Sequence, residues 1–202
     1  MKKITFVILF LGLINLGYAQ QERRFRTGFD IGLGVGSGES AGFLFAIEPK
    51  YNLKDNLNVG FRFEVAGIVK ELHYNQGEVS DAIVQANYSF MGTSDYYFHK
   101  QGGNSFVPFV GGGIGFHAVG NVYFTGDEYD DNATAYNTKA QSAFGGMIRG
   151  GFEWGKFRLT AEYTFIPQTD LQDIDGFVIG KAKNSYFGFN LGFYLGGGKW
   201  RR

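Results

Sequence analysis

Leu57-Asn-Val-Gly-Phe-Arg-Phe-Glu-Val-Ala66 alternates without a break: Leu57, Val59, Phe61, Phe63 and Val65 are apolar, while Asn58, Gly60, Arg62, Glu64 and Ala66 between them are polar or small. A period of two places the first set on one face of a β-strand and the second on the other. One face then carries only hydrocarbon and the other a guanidinium and a carboxylate. Which of them meets water, core or lipid decides the fold.

Seven more segments share this pattern. Phe29, Ile31, Leu33 and Val35 alternate with Asp30, Gly32, Gly34 and Gly36; Phe43, Phe45, Ile47 and Tyr51 stand against Ala46, Glu48, Lys50 and Asn52. A fourth segment runs from about Ile83 to Phe98, a glycine-laden fifth from Phe106 to Val119, and a sixth sets Phe144, Ile148, Phe152 and Trp154 against Met147, Arg149 and Glu153. Phe157 to Phe165 and Phe187 to Leu195 complete the set. The connections contrast in length. Lys54 to Asn56, His99 to Ser105 and Gly155-Lys156 are tight, whereas Glu71 to Asp81, Gly120 to Thr138 and Pro167 to Lys183 are long; Gly36 to Ala41 is the short exception. No repeat of 20 to 50 residues and no low-complexity linker interrupts the chain, so one domain is expected.

The bulk numbers fit that reading. The 202 residues include 32 glycines, 22 phenylalanines and 12 tyrosines, with 3 prolines and no cysteine. Glycine disfavours helix and aromatics favour strand. With 19 positive against 19 negative side chains, nothing points to a nucleic-acid partner, and the absence of cysteine excludes a disulfide scaffold. The first residues show Lys2 and Lys3, an apolar run from Ile4 to Leu16, and small residues at Gly17 and Ala19. This is the order of a secretory signal over residues 1–19, and the run is short of the roughly 20 residues needed to span a bilayer as a helix. The mature domain would then cover residues 20–202, with 17 positive and 19 negative charges once Lys2 and Lys3 are gone.

Two features choose between a soluble barrel, with the apolar stripe inside, and a membrane barrel, with that stripe on lipid. If Gly155-Lys156 is a two-residue hairpin loop, Glu153 faces Arg158 and Arg149 faces Glu162; if Lys54 to Asn56 is a three-residue loop, Glu48 faces Arg62. Opposite charges meet each time, as an enclosed lumen requires, because an unpaired buried charge is costly. Amphipathic rings also collect at the tight turns: Tyr51, Tyr96, Tyr97, Phe98, Trp154, Tyr194 and Trp200. Rings gathered at one level make the girdle of a membrane barrel. The expected fold is therefore all-β, an eight-stranded antiparallel up-and-down transmembrane β-barrel, with Arg62, Arg149 and Arg158 inside. Pro49 and Pro108 should mark bulges or strand ends, since a closed sheet has no free edge to hide a missing N–H.

Gly36 to Ala41 satisfies the loose dinucleotide pattern G-x-G-x-x-A. A phosphate loop should open a helix, yet another alternating strand follows. In a narrow barrel, alternate inward glycines instead leave room for long Arg and Glu side chains from other strands.

On the signal peptide, Ser94-Asp-Tyr-Tyr-Phe98 with the segment Phe106 to Phe116, and the strand Phe157 to Phe165, the chain resembles the small outer-membrane β-barrel family, in the OmpA-transmembrane-like and OmpX-like group and in the version common in Bacteroidetes-type bacteria. The resemblance implies termini and tight turns in the periplasm and long loops outside. It also implies contact with outer-membrane lipid, lipopolysaccharide and the barrel assembly machinery, and a monomer. The ending Gly196 to Arg202 departs from the usual terminal aromatic, leaving Phe193 or Trp200 as the assembly signal.

No cofactor is expected. His73 and His99 lie in connections and His117 on the inward stripe, where a hydrogen-bond partner is the expected role; no histidine has the nearby serine of the lipid A enzymes that share this architecture. Asp127, Glu128, Asp130 and Asp131 form an acidic loop that is a weak candidate for a divalent cation. The leading function is a non-enzymatic outer-membrane barrel with a lumen plugged by ion pairs and outer loops in an adhesion, ligand-contact or structural role. A narrow channel for small solutes, a soluble lipocalin-like carrier with the stripes reversed and, weakest, a lipid-modifying enzyme are the alternatives.

Overall fold

The structure, a computed structural model, describes residues 24–36, 40–72, 81–98, 106–125, 134–137, 141–172 and 178–197. The expected signal peptide, Trp200, His73, His99 and the acidic run Asp127, Glu128, Asp130 and Asp131 lie outside these residues.

Eleven strands are described: β1 (Phe25–Val35), β2 (Ser40–Lys54), β3 (Leu57–Leu72), β4 (Asp81–Tyr97), β5 (Phe106–Thr125), β6 (Thr134–Asn137), β7 (Gln141–Trp154), β8 (Phe157–Phe165), β9 (Thr169–Gln172), β10 (Val178–Ala182) and β11 (Tyr186–Gly196). Eight of them, all but β6, β9 and β10, pair antiparallel in sequence, and β11 returns to β1, so the wall is closed. The other three fall in the long connections. Strand β6 pairs with Val122–Thr125 of β5, and β9 pairs with β10.

Closure with a tilt follows from the register. Paired residues lead from Gln85 through Ile68, Gly42, Gly34, Gly188, Glu162, Arg149 and Gly111 back to β4 at Asp95, a stagger of ten residues from 85 to 95. Ten residues at roughly 3.3 Å, against eight strands roughly 4.8 Å apart, tilt the strands by about 40°. Residues at one height on neighbouring strands are therefore not the ones in register.

The two stripes sort as the alternation requires. Ile31, Phe43, Phe61, Phe90, Ile114, Ile148, Leu159 and Phe189 stand exposed on the outer wall, while Arg26, Asp30, Glu48, Lys50, Arg62, Glu64, Asp95, Arg149, Glu153, Arg158 and Glu162 are buried inside. The reversed stripes of a soluble carrier are not what the chain adopts. At the tight-turn end Tyr51, Tyr96, Phe98 and Trp154 face outward. Tyr97 and Tyr194 correct the girdle expectation, being only 2% exposed within the lumen. Parity is the reason: Tyr97 follows outward Tyr96, and Tyr194 shares the inward side of Asn190 and Gly192.

The turns set the register. Gly155, at φ 64°, supplies the left-handed residue of the β7–β8 turn, and Glu153 pairs with Arg158 and Arg149 with Glu162 along the strands. Between β2 and β3, Lys54 pairs with Leu57 and a shift between Asn52 and Lys54 restores Asn52 opposite Asn58, so the three-residue loop is a two-residue turn plus a bulge. Pro49 is not that bulge; the β2–β3 pairing passes over Glu48 and Pro49 and resumes at Lys50 in the same register. Pro108 sits near the start of β5, where its carbonyl accepts the Phe98 N–H at 2.9 Å.

Inward glycines do make room, for long side chains as well as short ones: a Cβ on Gly188 would lie 2.9 Å from Glu162 Cγ, and one on Gly60 would lie 2.8 Å from Lys50 Cγ. A Cβ on Gly32 would lie 2.0 Å from Asn190 Oδ1, and one on Gly111 would lie 2.1 Å from Asp95 Oδ1 and 2.6 Å from the Ser94 carbonyl oxygen. Gly111→Ala should lower stability by about 1–3 kcal/mol, because Asp95 is held from two sides and cannot step aside. Gly120→Ala, where nothing lies within 4 Å of the new carbon, is the near-neutral control. Thermal unfolding of both variants in detergent micelles measures the difference.

Candidate functional site

The polar stripes of the eight wall strands converge on the lumen, which is the one place where the described chain concentrates chemistry. Three tiers of charge fill it. Nearest the tight turns, Arg26 of β1 donates to Glu153 Oε2 of β7 at 2.8 Å and to the Tyr97 hydroxyl of β4, and that hydroxyl donates to Glu153 Oε1 at 2.6 Å. Asn58 of β3 also donates to Tyr97 OH, at 3.1 Å, and the Arg26 guanidinium lies 4.2 Å from the Tyr194 ring centre. A cation on an aromatic face in a dry site adds to the ion pair.

The middle tier is the densest. Arg149 of β7 grips both oxygens of Glu48 on β2, at 3.0 and 2.6 Å, and donates through Nε to Asp95 of β4 at 2.7 Å. This forked geometry is the strong form of a charge-assisted pair. Lys50 sits between the same carboxylates, 2.5 Å from Asp95 and 3.2 Å from Glu48. Arg158 of β8 donates to Tyr194 OH at 2.6 Å, comes within 3.4 Å of Glu48, and lies over the Phe109 ring at 4.2 Å. Thr93 completes Glu48 with a hydrogen bond of 2.6 Å.

Farthest from the tight turns, Arg62 of β3 serves three carboxylates: Asp30 at 2.5 Å, Glu64 at 2.6 Å and Glu162 at 3.2 Å. Tyr186 of β11 donates to the other oxygen of Glu64. A 3.7 Å approach of Arg62 to Glu48 joins this tier to the middle one. Beyond it lies an apolar cluster of Leu44, Ala66, Ile68, Val119, Ile166 and Tyr186.

The six residues singled out from hairpin register are thus all in the lumen, but the contacts do not follow the hairpins. Arg149 and Glu162 face each other in register, yet Arg149 pairs with Glu48 and Asp95, and Glu162 with Arg62. Glu48 and Arg62 are 3.7 Å apart, each held more closely by other residues. Glu153 is opposite Arg158 along the strands and is gripped by Arg26 from across the lumen. The tilt explains this: a long side chain meets whatever lies at its own height across a narrow tube. Sequence reasoning put Asp30, Lys50 and Glu64 on the polar stripes without giving them partners, and passed over Arg26, Asp95 and the hydroxyls of Tyr97, Tyr186 and Tyr194. Their parity with Arg62, Ser89 or Asn190 was the available signal.

His117 is fully buried, and the hydrogen-bond partner expected of it is missing at both ring nitrogens. Ser89 stands opposite it in register, also with no partner at its hydroxyl, so no nucleophile–base contact links them. Among the described residues no group of three or more His, Cys, Asp or Glu is placed to hold a metal ion.

No family model matches the chain, and no curated protein matches it in sequence. Solved structures do. The chain is similar to Neisserial surface protein A, NspA, with 13% identity, 86% of this chain and 97% of that one covered, and a TM-score of 0.54. It is also similar to the outer membrane protein OprG from Pseudomonas aeruginosa, with 10% identity, 89% and 98% covered, and a TM-score of 0.50. At such identity the likeness is one of fold, and the fold is that of the small closed barrels of the bacterial outer membrane.

Proposed function

We propose that the chain is a non-enzymatic outer-membrane barrel, held in the bilayer by its aromatic wall, sealed along its axis by ion pairs, and acting through its outer connections. The observation that carries this is the pairing of an apolar exterior with a lumen crossed by salt bridges whose partners are each no more than 4% exposed. An Arg on the lipid side near mid-bilayer costs roughly 2–4 kcal/mol, and a backbone with a free edge cannot be satisfied in lipid at all. A closed wall with every buried guanidinium inside meets both demands. Outer-membrane lipid, lipopolysaccharide and the assembly machinery are the partners this reading implies, and closure favours a monomer because no edge is left to pair. Contact with the surroundings is assigned to the long connections, where Asp127, Glu128, Asp130 and Asp131 make one loop strongly acidic.

A narrow channel is the reading to be excluded. Purified protein in planar bilayers should show no steady unitary conductance, because passage would require parting Arg149 from Glu48 and Asp95 together. Reproducible single-channel steps from the unaltered protein would overturn the sealed lumen while leaving the membrane wall intact.

A further inference from the structure

The outer wall is apolar but uneven. On β1 and β11 the outward positions are large one after another, with Phe29, Ile31 and Leu33 on the first and Phe187, Phe189 and Leu191 on the second. Across β4, β5 and β7 the outward row is interrupted by Gly92, Ser94, Gly112 and Gly146. Ser94 and Gly112 face each other in register, and Gly92 and Gly146 stand on either side of Ile114.

These small residues open a groove of about 870 Å³ on the outer wall, within the range of roughly 300–1,000 Å³ usual for a small-molecule cleft. Beneath it runs the paired row Lys50, Gly60, Thr93, Gly113 and Met147, whose backbone is the floor. Four strand-to-strand steps of roughly 4.8 Å make it about 19 Å long. Phe61, Ile114, Ile148 and Phe165 form its sides. A Cβ on Gly92 would meet nothing nearer than the Ile114 carbonyl oxygen at 4.0 Å, so the space belongs to the surroundings and not to the protein's own packing.

Shape decides what fits there. A neighbouring barrel is convex and carries large side chains of its own, so it touches the sides and misses the floor, and contacts across a gap are forfeited. A single hydrocarbon chain reaches the floor and both sides at once. The groove also has a polar mouth. It begins at Phe25 and Tyr51, which pair at the tight-turn end, and climbs away from that end because the strands are tilted. Arg24, just before Phe25, and Lys54, at the end of β2, are exposed there, and the Asn52 N–H donates to the Arg24 carbonyl oxygen at 3.0 Å. Asp55 of the same turn is itself partnered. Two cations at the level of the ring girdle, beside an apolar furrow, suit a phosphate joined to an acyl chain.

We propose that this groove binds one anionic glycerophospholipid, its acyl chain laid along Gly92, Gly112 and Gly146 and its phosphate at Arg24 and Lys54, an inference that rests on the membrane reading of the wall. The unaltered protein in vesicles of phosphatidylglycerol with a photoreactive group on the acyl chain gives the first test. Adducts should concentrate at residues 92–94 and 112–114, several-fold over residues 29–33 and 187–191 on the far side. Adducts spread evenly round the wall would overturn the groove and leave the membrane wall standing, whereas no adducts on the wall would remove both. Gly92→Leu occupies the groove, its first carbon meeting the protein only at van der Waals distance, and heat-dependent gel migration checks that its barrel still closes. By native mass spectrometry from detergent it should retain several-fold less phosphatidylglycerol than wild type. Arg24→Gln with Lys54→Gln should remove the preference for phosphatidylglycerol over phosphatidylethanolamine, and a preference that survives overturns the phosphate assignment. Equal retention by Gly92→Leu overturns the site, as does lipopolysaccharide held in place of phospholipid, or a dimer of the unaltered protein that Gly92→Leu disperses.

Discussion

Arg62→Ala should cost the barrel about 3–5 kcal/mol, the penalty for leaving buried carboxylates without their cation. Among the described residues no other lumen residue is the sole cation for so many: there Asp30 and Glu162 have no ion-pair partner but this guanidinium, and Glu64 has it together with the Tyr186 hydroxyl. The loss should be read as a shift of the heat-unfolded band on gels and as a lower midpoint in denaturant. Adding Glu64→Gln and Glu162→Gln to Arg62→Ala should recover much of it, because the carboxylates that repel one another are then neutral. A triple variant as unstable as the single one would mean that Arg62 acts through its packing volume and not through its charge.

Ile114→Arg tests the opposite face. Ile114 is 65% exposed on the wall, between Gly92 of β4 and Gly146 of β7 in register, so no neighbouring side chain can shield a charge placed there. In a bilayer the guanidinium should cost about 2–4 kcal/mol if it lies near the midplane. In water the same change on an exposed residue would be nearly neutral. Unfolding measured in phospholipid vesicles gives the answer, and an unaffected midpoint there would remove the membrane reading of the apolar stripe.

Alternation made the wall legible from the chain alone. The run from Leu57 to Ala66 assigns both of its faces, and the single Gly155-Lys156 turn correctly sets Glu153 opposite Arg158. Such arithmetic works because a hairpin is local: its register depends on one turn and on nothing else in the molecule. Who touches whom in the lumen depends on the stagger accumulated over all eight strands, so Arg149 meeting Glu48, 101 positions away in the sequence, had no local signal. Tyr97 and Tyr194 were misplaced for a related reason. Proximity to a turn says which end of the barrel a ring occupies, and only parity says which side. Strands β6, β9 and β10 escaped because four- and five-residue pairings in connections carry too few alternations to be read.

The wall is completed by the pairing of Arg26 with Gly196 and its successors down to Val35 with Phe187, the two ends of the described chain. Until that last seam forms, any partial assembly exposes two rows of unsatisfied amides, and Arg26 of β1 and Glu153 of β7 approach only when intervening strands are in place. Folding must therefore be a single late event in which insertion, ring formation and charge neutralisation occur together. A chain stalled before β11 is synthesised would have no stable halfway form to rest in, and would stay in the hands of whatever keeps it from aggregating.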